Sequence, residues 1–92
     1  MKKLTIFYLK GCPYCEAARR ALKELAAEDG AYAAAEIEWI DERAEAALAD
    51  SYDYYHVPSV FLGGRKLYEA SPSHSYETIR ENLRAALNEA AR

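Results

Sequence analysis

The sequence predicts an α/β fold in which helices cover both faces of a four-stranded mixed sheet. Three observations predict it: a continuous apolar segment near the start, long stretches with helical spacing of apolar residues, and a Gly-Gly pair between two short β-rich segments. The 92-residue chain is 51% hydrophobic and 29% charged, which is a globular balance. Because a chain this short has room for one core, residues 1–92 are predicted to form a single domain.

The first half of the chain predicts a βαβ unit. The segment Leu4–Leu9 is apolar and rich in β-branched and aromatic residues, as in a strand covered on both faces. Apolar residues then recur at helical spacing from Ala18 to Leu25, and Gly30 predicts the end of that helix. Residues Glu36–Ile40 predict a second strand, parallel to the first, with Trp39 in the core.

The second half predicts a short helix, a hairpin and a final helix. Residues 41–52 are rich in Ala and Glu, with Ala44, Ala47 and Leu48 on the predicted inner side. Residues 60–62 and 66–68 flank Gly63-Gly64, a pair suited to a two-residue hairpin turn. The last helix is predicted from about residue 73, where three nearby serines compete as its cap. The predicted order is β-α-β-α-β-β-α.

Charge and hydropathy exclude several classes of protein. Twelve basic and fifteen acidic side chains give a net charge of −3, so no nucleic-acid partner is expected. The apolar run Leu4–Leu9 ends at Lys10 and is too short for a membrane span or most signal-peptide cores. We therefore expect no membrane partner and a cytoplasmic location. Two cysteines three positions apart cannot staple a small secreted domain.

The cysteines form a Cys12-Pro13-Tyr14-Cys15 segment, the CPYC motif, at the junction of the first strand and first helix. Proline favours the first helical position, which places Cys12 at the N-cap, facing the free N–H groups of Tyr14 and Cys15. These amides and the helix dipole stabilise a thiolate there. The i, i+3 spacing brings Cys15 onto the same helix face, so the pair can exchange a disulfide. Cys15 is expected to be the more enclosed of the two.

Three other interpretations of the cysteine pair are weaker. A structural disulfide closing a loop of about four residues gives only ~2 kcal/mol in the chain-entropy model. A zinc site would need His56 and His74, whose separation of 18 residues matches no zinc-finger spacing. A packed core pair does not fit a proline at a helix start. No metal site is therefore predicted.

The CPYC motif is similar to the dithiol active site of glutaredoxins, and nearly the whole chain resembles the glutaredoxin and thioredoxin superfamily. The resemblance implies a thioredoxin fold with strand order 2-1-3-4. It also implies that Val57-Pro58 is a cis-proline segment facing the motif, and that backbone groups of Val57 pair with a bound thiol peptide, a form of strand addition.

The resemblance further implies substrate contacts for Lys10, Tyr14 and Ser71. Lys10 resembles the basic residue before the glutaredoxin motif, although a solvated loop charge is an equal alternative. Tyr14 is expected to flank the substrate groove. Tyr55 and His56 are candidates for an aromatic rim, together with nearby tyrosines, and His56 for a proton relay to Cys15.

Two departures from the family pattern leave the reductant open. Glutaredoxins usually carry a Gly-Gly pair after the last strand, then a polar or acidic pair that holds glutathione. Here the segment is Glu69-Ala70-Ser71-Pro72, and Ser71 and Ser73 are the remaining candidate donors. Ala49-Asp50-Ser51-Tyr52 and Pro58-Ser59 look closer to thioredoxins, yet the buried thioredoxin aspartate expected near Ile6 is absent.

The sequence thus predicts a monomeric thiol–disulfide oxidoreductase with Cys12 as nucleophile and Cys15 as resolving thiol. Its expected partners are disulfide-containing proteins or low-molecular-weight thiols. The dithiol is the redox group, with no metal or prosthetic cofactor, and glutathione or a reductase is the electron donor. The alternatives are an iron–sulfur carrier, in which two protomers each contribute Cys12, and a redox-sensing interaction module without turnover.

Overall fold

A computed structural model describes residues 1–92 as a four-stranded sheet with four helical segments. The elements in chain order are β1 (Leu4–Tyr8), α1 (Pro13–Glu28), α2 (Gly30–Ala33), β2 (Ile37–Asp41), α3 (Ala46–Asp50), β3 (Ser59–Leu62), β4 (Arg65–Glu69) and α4 (Tyr76–Ala90). The strand order is β2-β1-β3-β4. Both the predicted element order and the predicted sheet order are confirmed, with α2 as an additional turn of helix.

The sheet is mixed because β1 pairs with neighbours of opposite direction. Ile6 of β1 lies opposite Trp39 in the parallel strand β2 and opposite Val60 in the antiparallel strand β3. The hairpin between β3 and β4 turns at Gly63, whose φ of 61° explains the glycine there. The carboxyl end of β1 leads into α1. Because β3 runs antiparallel to β1, the loop before β3 ends beside this carboxyl end of β1.

Helices cover both faces of the central strand. Residues 4–7 of β1 are all buried, as predicted for a strand covered on both faces. On one face β1 packs against α1 and α4, whose buried residues include Ala18, Ala21, Leu25, Ile79, Leu83, Ala86 and Leu87. On the other face α3 covers a smaller cluster of Phe7, Ile40, Ala49 and Phe61.

Local capping contacts shift two predicted helix boundaries. The first helix ends at Glu28, and Gly30 begins α2 rather than ending α1, because the Asp29 side chain accepts the N–H of Ala31 at 2.9 Å. The last helix begins at Tyr76, later than the predicted start near residue 73. Ser75 is the cap, and its hydroxyl accepts the N–H of Thr78 at 3.1 Å.

The helix predicted over residues 41–52 is shorter than predicted, and it buries a different side. The Asp41 carboxylate accepts the N–H groups of Arg43 and Ala44 at 2.9 and 3.3 Å, which fixes a turn before α3 begins at Ala46. As a result Ala49 is buried, whereas Leu48 is 40% exposed and the predicted inner face was wrong.

Trp39 is only partly buried, which corrects its assignment to the core. It lies on the edge strand β2, and the Arg19 guanidinium covers its ring at 4.0 Å from the centroid. No helix in the structure combines the length and the apolarity that a bilayer span requires.

Candidate active site

The CPYC motif lies at the junction of β1 and α1 in the geometry that its proline predicts. Gly11 turns the chain with φ 79°, and Cys12 is the N-cap of α1 with extended dihedrals of −81° and 119°. Pro13 is the first helical residue, where no N–H is required. The N–H of Cys15 donates to Sγ of Cys12 at 3.4 Å. A sulfur atom therefore takes the place of the usual cap oxygen at a positive helix end.

The two cysteines differ in their surroundings. Cys12 is partly exposed, whereas Cys15 is completely buried, and neither forms a disulfide. Burial raises the pKa of the Cys15 thiol to about 12, and the neighbouring Cys12 acts in the same direction. At neutral pH Cys15 is therefore a protonated thiol that only a movement or a change at Cys12 can activate.

Residues 55–58, the cis-proline loop, lead into β3, the neighbour of β1, and bring Val57 next to the motif. The Val57-Pro58 peptide bond is cis, as the resemblance implied. The carbonyl oxygen of Val57 lies 3.9 Å from Sγ of Cys12, so the thiol can donate a weak hydrogen bond to it. The N–H of Ala70 donates to the carbonyl of Pro58 at 3.0 Å and ties the end of this loop to β4.

The loop between β4 and α4 contacts the motif through Tyr14. The Tyr14 hydroxyl donates to the carbonyl oxygen of Pro72 at 2.9 Å. Ser71, predicted to bind substrate, has its hydroxyl 3.1 Å from that of Ser73, and its N–H donates to His74 Nδ1 at 3.3 Å. Tyr14 and this loop thus form one wall beside Cys12.

His74 anchors that wall. The Tyr68 hydroxyl lies 2.7 Å from His74 Nδ1, and the two rings stack with centroids 5.6 Å apart. Because the same nitrogen already accepts the N–H of Ser71, Tyr68 is the donor in this contact. His74 is therefore a structural residue of the loop.

The remaining predicted site residues occupy the surface around the motif. Lys10 is exposed two residues before Cys12. Tyr55, the first residue of the cis-proline loop, is 89% exposed. The His56 ring lies 3.2 Å from the carboxylate of Glu69, and this contact turns it toward β4. The structure thus gives no contact that supports a relay from His56 to Cys15.

The tyrosines that precede Val57 divide into packed and exposed residues. Tyr52 and Tyr54 pack on Phe7, with ring centroids 4.7 and 5.0 Å away. The Tyr54 hydroxyl also donates to Glu42 at 2.6 Å. These two rings belong to the small core on the α3 face, so only Tyr55 and His56 are placed to form a rim.

Glu69 also lies in this region, and no role is predicted for it from the sequence. Its carboxylate contacts Lys66 and the residues of the cis-proline loop. Partial burial opposes its ionisation, but hydrogen bonds from Lys66, His56 and Tyr55 outweigh this and lower the pKa of Glu69 to about 2. The one available signal was an acidic residue where glutaredoxins usually carry glycine.

A dithiol at the start of the first helix, opposite a cis-proline, defines the thioredoxin-fold class of proteins. Solved structures with this fold support the assignment. A mutant thioredoxin from Halobacterium salinarum aligns with a TM-score of 0.60 at 21% identity, over 98% of this chain and 74% of that one. Thioredoxin 1 from Thermosipho africanus aligns with a TM-score of 0.60 at 16% identity, over 98% and 99% of the two chains. A malarial protein aligns with a TM-score of 0.63 at 15% identity, over 98% and 97%.

Within that class, the glutaredoxin family model matches residues 4–67. The chain therefore belongs to the glutaredoxin family, a family of thiol–disulfide oxidoreductases. A search of curated protein sequences gives no significant match. The matched range contains the CPYC motif and the cis-proline loop, and it ends before Glu69 and the Ser71–His74 loop.

Proposed function

We propose that this protein is a dithiol oxidoreductase that reduces disulfides through Cys12 and Cys15. The single observation that carries the proposal is the contact between the Cys15 N–H and Sγ of Cys12 at the first turn of α1, 3.4 Å long. An amide donor at a helix start stabilises a thiolate, and the thiolate is the form of cysteine that attacks disulfides.

In the first step the Cys12 thiolate attacks one sulfur of a substrate disulfide. A bond forms between Cys12 Sγ and that sulfur, the substrate S–S bond breaks, and the other substrate sulfur leaves as a thiolate that takes a proton from water. Cys12 Sγ lies 3.9 Å from the Val57 carbonyl oxygen. In the mixed disulfide this sulfur carries no proton, so it no longer donates a hydrogen bond to that carbonyl. That carbonyl becomes free to accept an N–H from the substrate backbone.

In the second step Cys15 resolves the mixed disulfide. Cys15 attacks Cys12 Sγ and its proton passes to the substrate's second sulfur, which leaves as a thiol, while a Cys12–Cys15 disulfide remains on the protein. The substrate has gained two electrons and the protein has lost two. Burial keeps Cys15 protonated before this step, so Cys12 alone is available for the first attack.

An external thiol returns the protein to its dithiol form by the same exchange in reverse. Glutathione and a reductase are the two candidate donors. The small thiol is proposed to bind beside Cys12 against Tyr14 and the Ser71–His74 loop, which the hydrogen bond from Tyr14 to Pro72 joins. Coupled assays with glutathione plus glutathione reductase, and with a thioredoxin reductase, separate the two donors.

The test compares wild type with Cys12→Ser and Cys15→Ser in the reduction of a peptide that contains one disulfide. We expect Cys12→Ser to be inactive and to form no adduct. Cys15→Ser is expected to accumulate a mixed disulfide with the peptide, visible by mass spectrometry and removed by dithiothreitol. A Cys12→Ser protein that keeps the wild-type rate would overturn the proposal.

A further inference from the structure

Glu69 connects the last strand to the cis-proline loop. Its Oε2 atom accepts the N–H of His56 at 3.0 Å and the N–H of Tyr55 at 3.2 Å. The same oxygen lies 3.2 Å from Nδ1 of the His56 ring. Its other oxygen, Oε1, accepts a hydrogen bond from Nζ of Lys66 at 2.8 Å. One carboxylate thus has four hydrogen-bond contacts, three of them with two adjacent residues of the loop.

These contacts fix the loop immediately before its functional segment. Tyr55 and His56 precede Val57, whose carbonyl faces Cys12. Their N–H groups have no partner in a strand, so the carboxylate supplies what a neighbouring strand otherwise would. On the far side of Val57, the Pro58 carbonyl is held by the N–H of Ala70, the residue after Glu69. Glu69 and Ala70, which are consecutive in the chain, therefore hold the backbone on the two sides of Val57.

The carboxylate is well suited to this role. Its side chain is 17% exposed, and Lys66 balances its charge, so little water competes for its oxygens. Hydrogen bonds from N–H groups to a carboxylate are shorter and stronger than those to a neutral oxygen. A neutral amide in its place would offer one acceptor oxygen and would present a donor to Lys66 or to the loop.

We propose that Glu69 is a positioning residue for substrate binding, which holds Tyr55 and His56 so that the Val57 backbone meets the disulfide substrate beside Cys12. The inference rests on the proposed function, because it concerns the substrate side of the same exchange. Glu69 does not touch the reacting sulfurs, and its removal should leave the intrinsic reactivity of Cys12 unchanged.

The test measures three properties of Glu69→Ala. With the disulfide peptide as substrate, we expect KM to rise about tenfold, the change that ~1.4 kcal/mol of lost binding gives. The rate of Cys12 alkylation by iodoacetamide should stay at the wild-type value. Amide hydrogen exchange at Tyr55 and His56 should become faster, because their acceptor is gone.

Glu38→Ala is the matched control. Glu38 also accepts a lysine Nζ, that of Lys3 at 3.0 Å, but it lies on the edge strand β2. The same substitution there should leave KM and the exchange of the loop amides unchanged. Should Glu69→Ala fail to fold, Glu69→Gln keeps the side-chain volume and one acceptor, and it should raise KM by a smaller factor.

The outcomes separate this inference from the function on which it rests. An active wild type together with a Glu69→Ala variant of unchanged KM would overturn the positioning role alone. A Cys12 alkylation rate that falls by the same factor as KM rises would also overturn it, because this would show that the whole site is disturbed. A wild type that reduces no disulfide, with either reductant, would overturn the proposed function and this role with it.

Discussion

The carbonyl oxygen of Val57 lies 3.9 Å from Sγ of Cys12, although the two residues are 45 positions apart in the chain. The contact exists because β1 and β3 are adjacent antiparallel strands. The carboxyl end of β1 therefore meets the chain that enters β3. The loop that contacts the nucleophile is thus fixed by the sheet rather than by local sequence.

Cys15 is expected to resist alkylation in the folded protein. With a pKa of about 12, set mainly by burial, its thiolate fraction at about pH 8 is on the order of one in ten thousand. In Cys12→Ser, which leaves Cys15 as the only thiol, iodoacetamide should react at least about a hundredfold more slowly with the folded than with the urea-unfolded chain. Mass spectrometry over time measures both rates, and equal rates would refute the buried, protonated state.

Tyr14→Phe removes the hydrogen bond between the motif and the loop after β4. The bond to Pro72 is 2.9 Å long, and a neutral bond of this kind contributes about 1 kcal/mol. We expect the free energy of unfolding in urea to fall by that amount and KM for the disulfide peptide to change. Tyr55→Phe is the control, since the exposed Tyr55 side chain makes no hydrogen bond. Identical unfolding curves for Tyr14→Phe and wild type would contradict this expectation.

Leu83→Ala tests the packing of α4 on the sheet. Leu83 is completely buried in the larger core, where a Leu-to-Ala change costs about 2–5 kcal/mol. Leu48→Ala makes the same chemical change at a side chain that is 40% exposed, and it should cost less than about 1 kcal/mol. Urea denaturation of both variants measures the difference. Similar losses at the two positions would show that the assigned inner faces of α3 and α4 are wrong.

Glu69 should make stability depend on pH in acid. Its pKa is about 2 in the folded protein and about 4.3 in an unfolded chain. Because the folded value is the lower one, its stabilisation is fully present above about pH 5 and is lost as pH falls toward 2. The free energy of unfolding should therefore differ between wild type and Glu69→Gln at about pH 6 and converge by about pH 2. A difference that does not vary with pH would contradict this.

The order of elements along the chain and the motif geometry could be predicted because each depends on short-range signals, whereas the sheet order came from the family resemblance. The apolar run of β1, the Gly-Gly hairpin and the proline after Cys12 each leave few alternatives. The cap role of Cys12 in particular follows from the position of Pro13. The cis-proline loop was placed by family resemblance, since a sequence alone gives a low prior for any cis bond.

The predictions that failed depend on side chains that capture local N–H groups. Asp29 and Asp41 each accept a hydrogen bond from the N–H two residues later; the first contact starts α2, which was not predicted, and the second delays the start of α3. Aspartate is common in loops, so neither contact has a distinctive sequence pattern. The role proposed for Glu69 depends on the end of β4 meeting the cis-proline loop, a relationship that appears only in three dimensions.

The most direct test of the central claim measures how fast Cys12 reacts when α1 is folded and when it is not. Cys15→Ser isolates Cys12 and keeps the N–H at position 15. At about pH 6.5 an ordinary thiol is only about 1% thiolate. We predict that the folded variant reacts with iodoacetamide at least about tenfold faster than the same chain in urea. A folded protein that reacts at the unfolded rate, or more slowly, would contradict an activated sulfur at the start of α1.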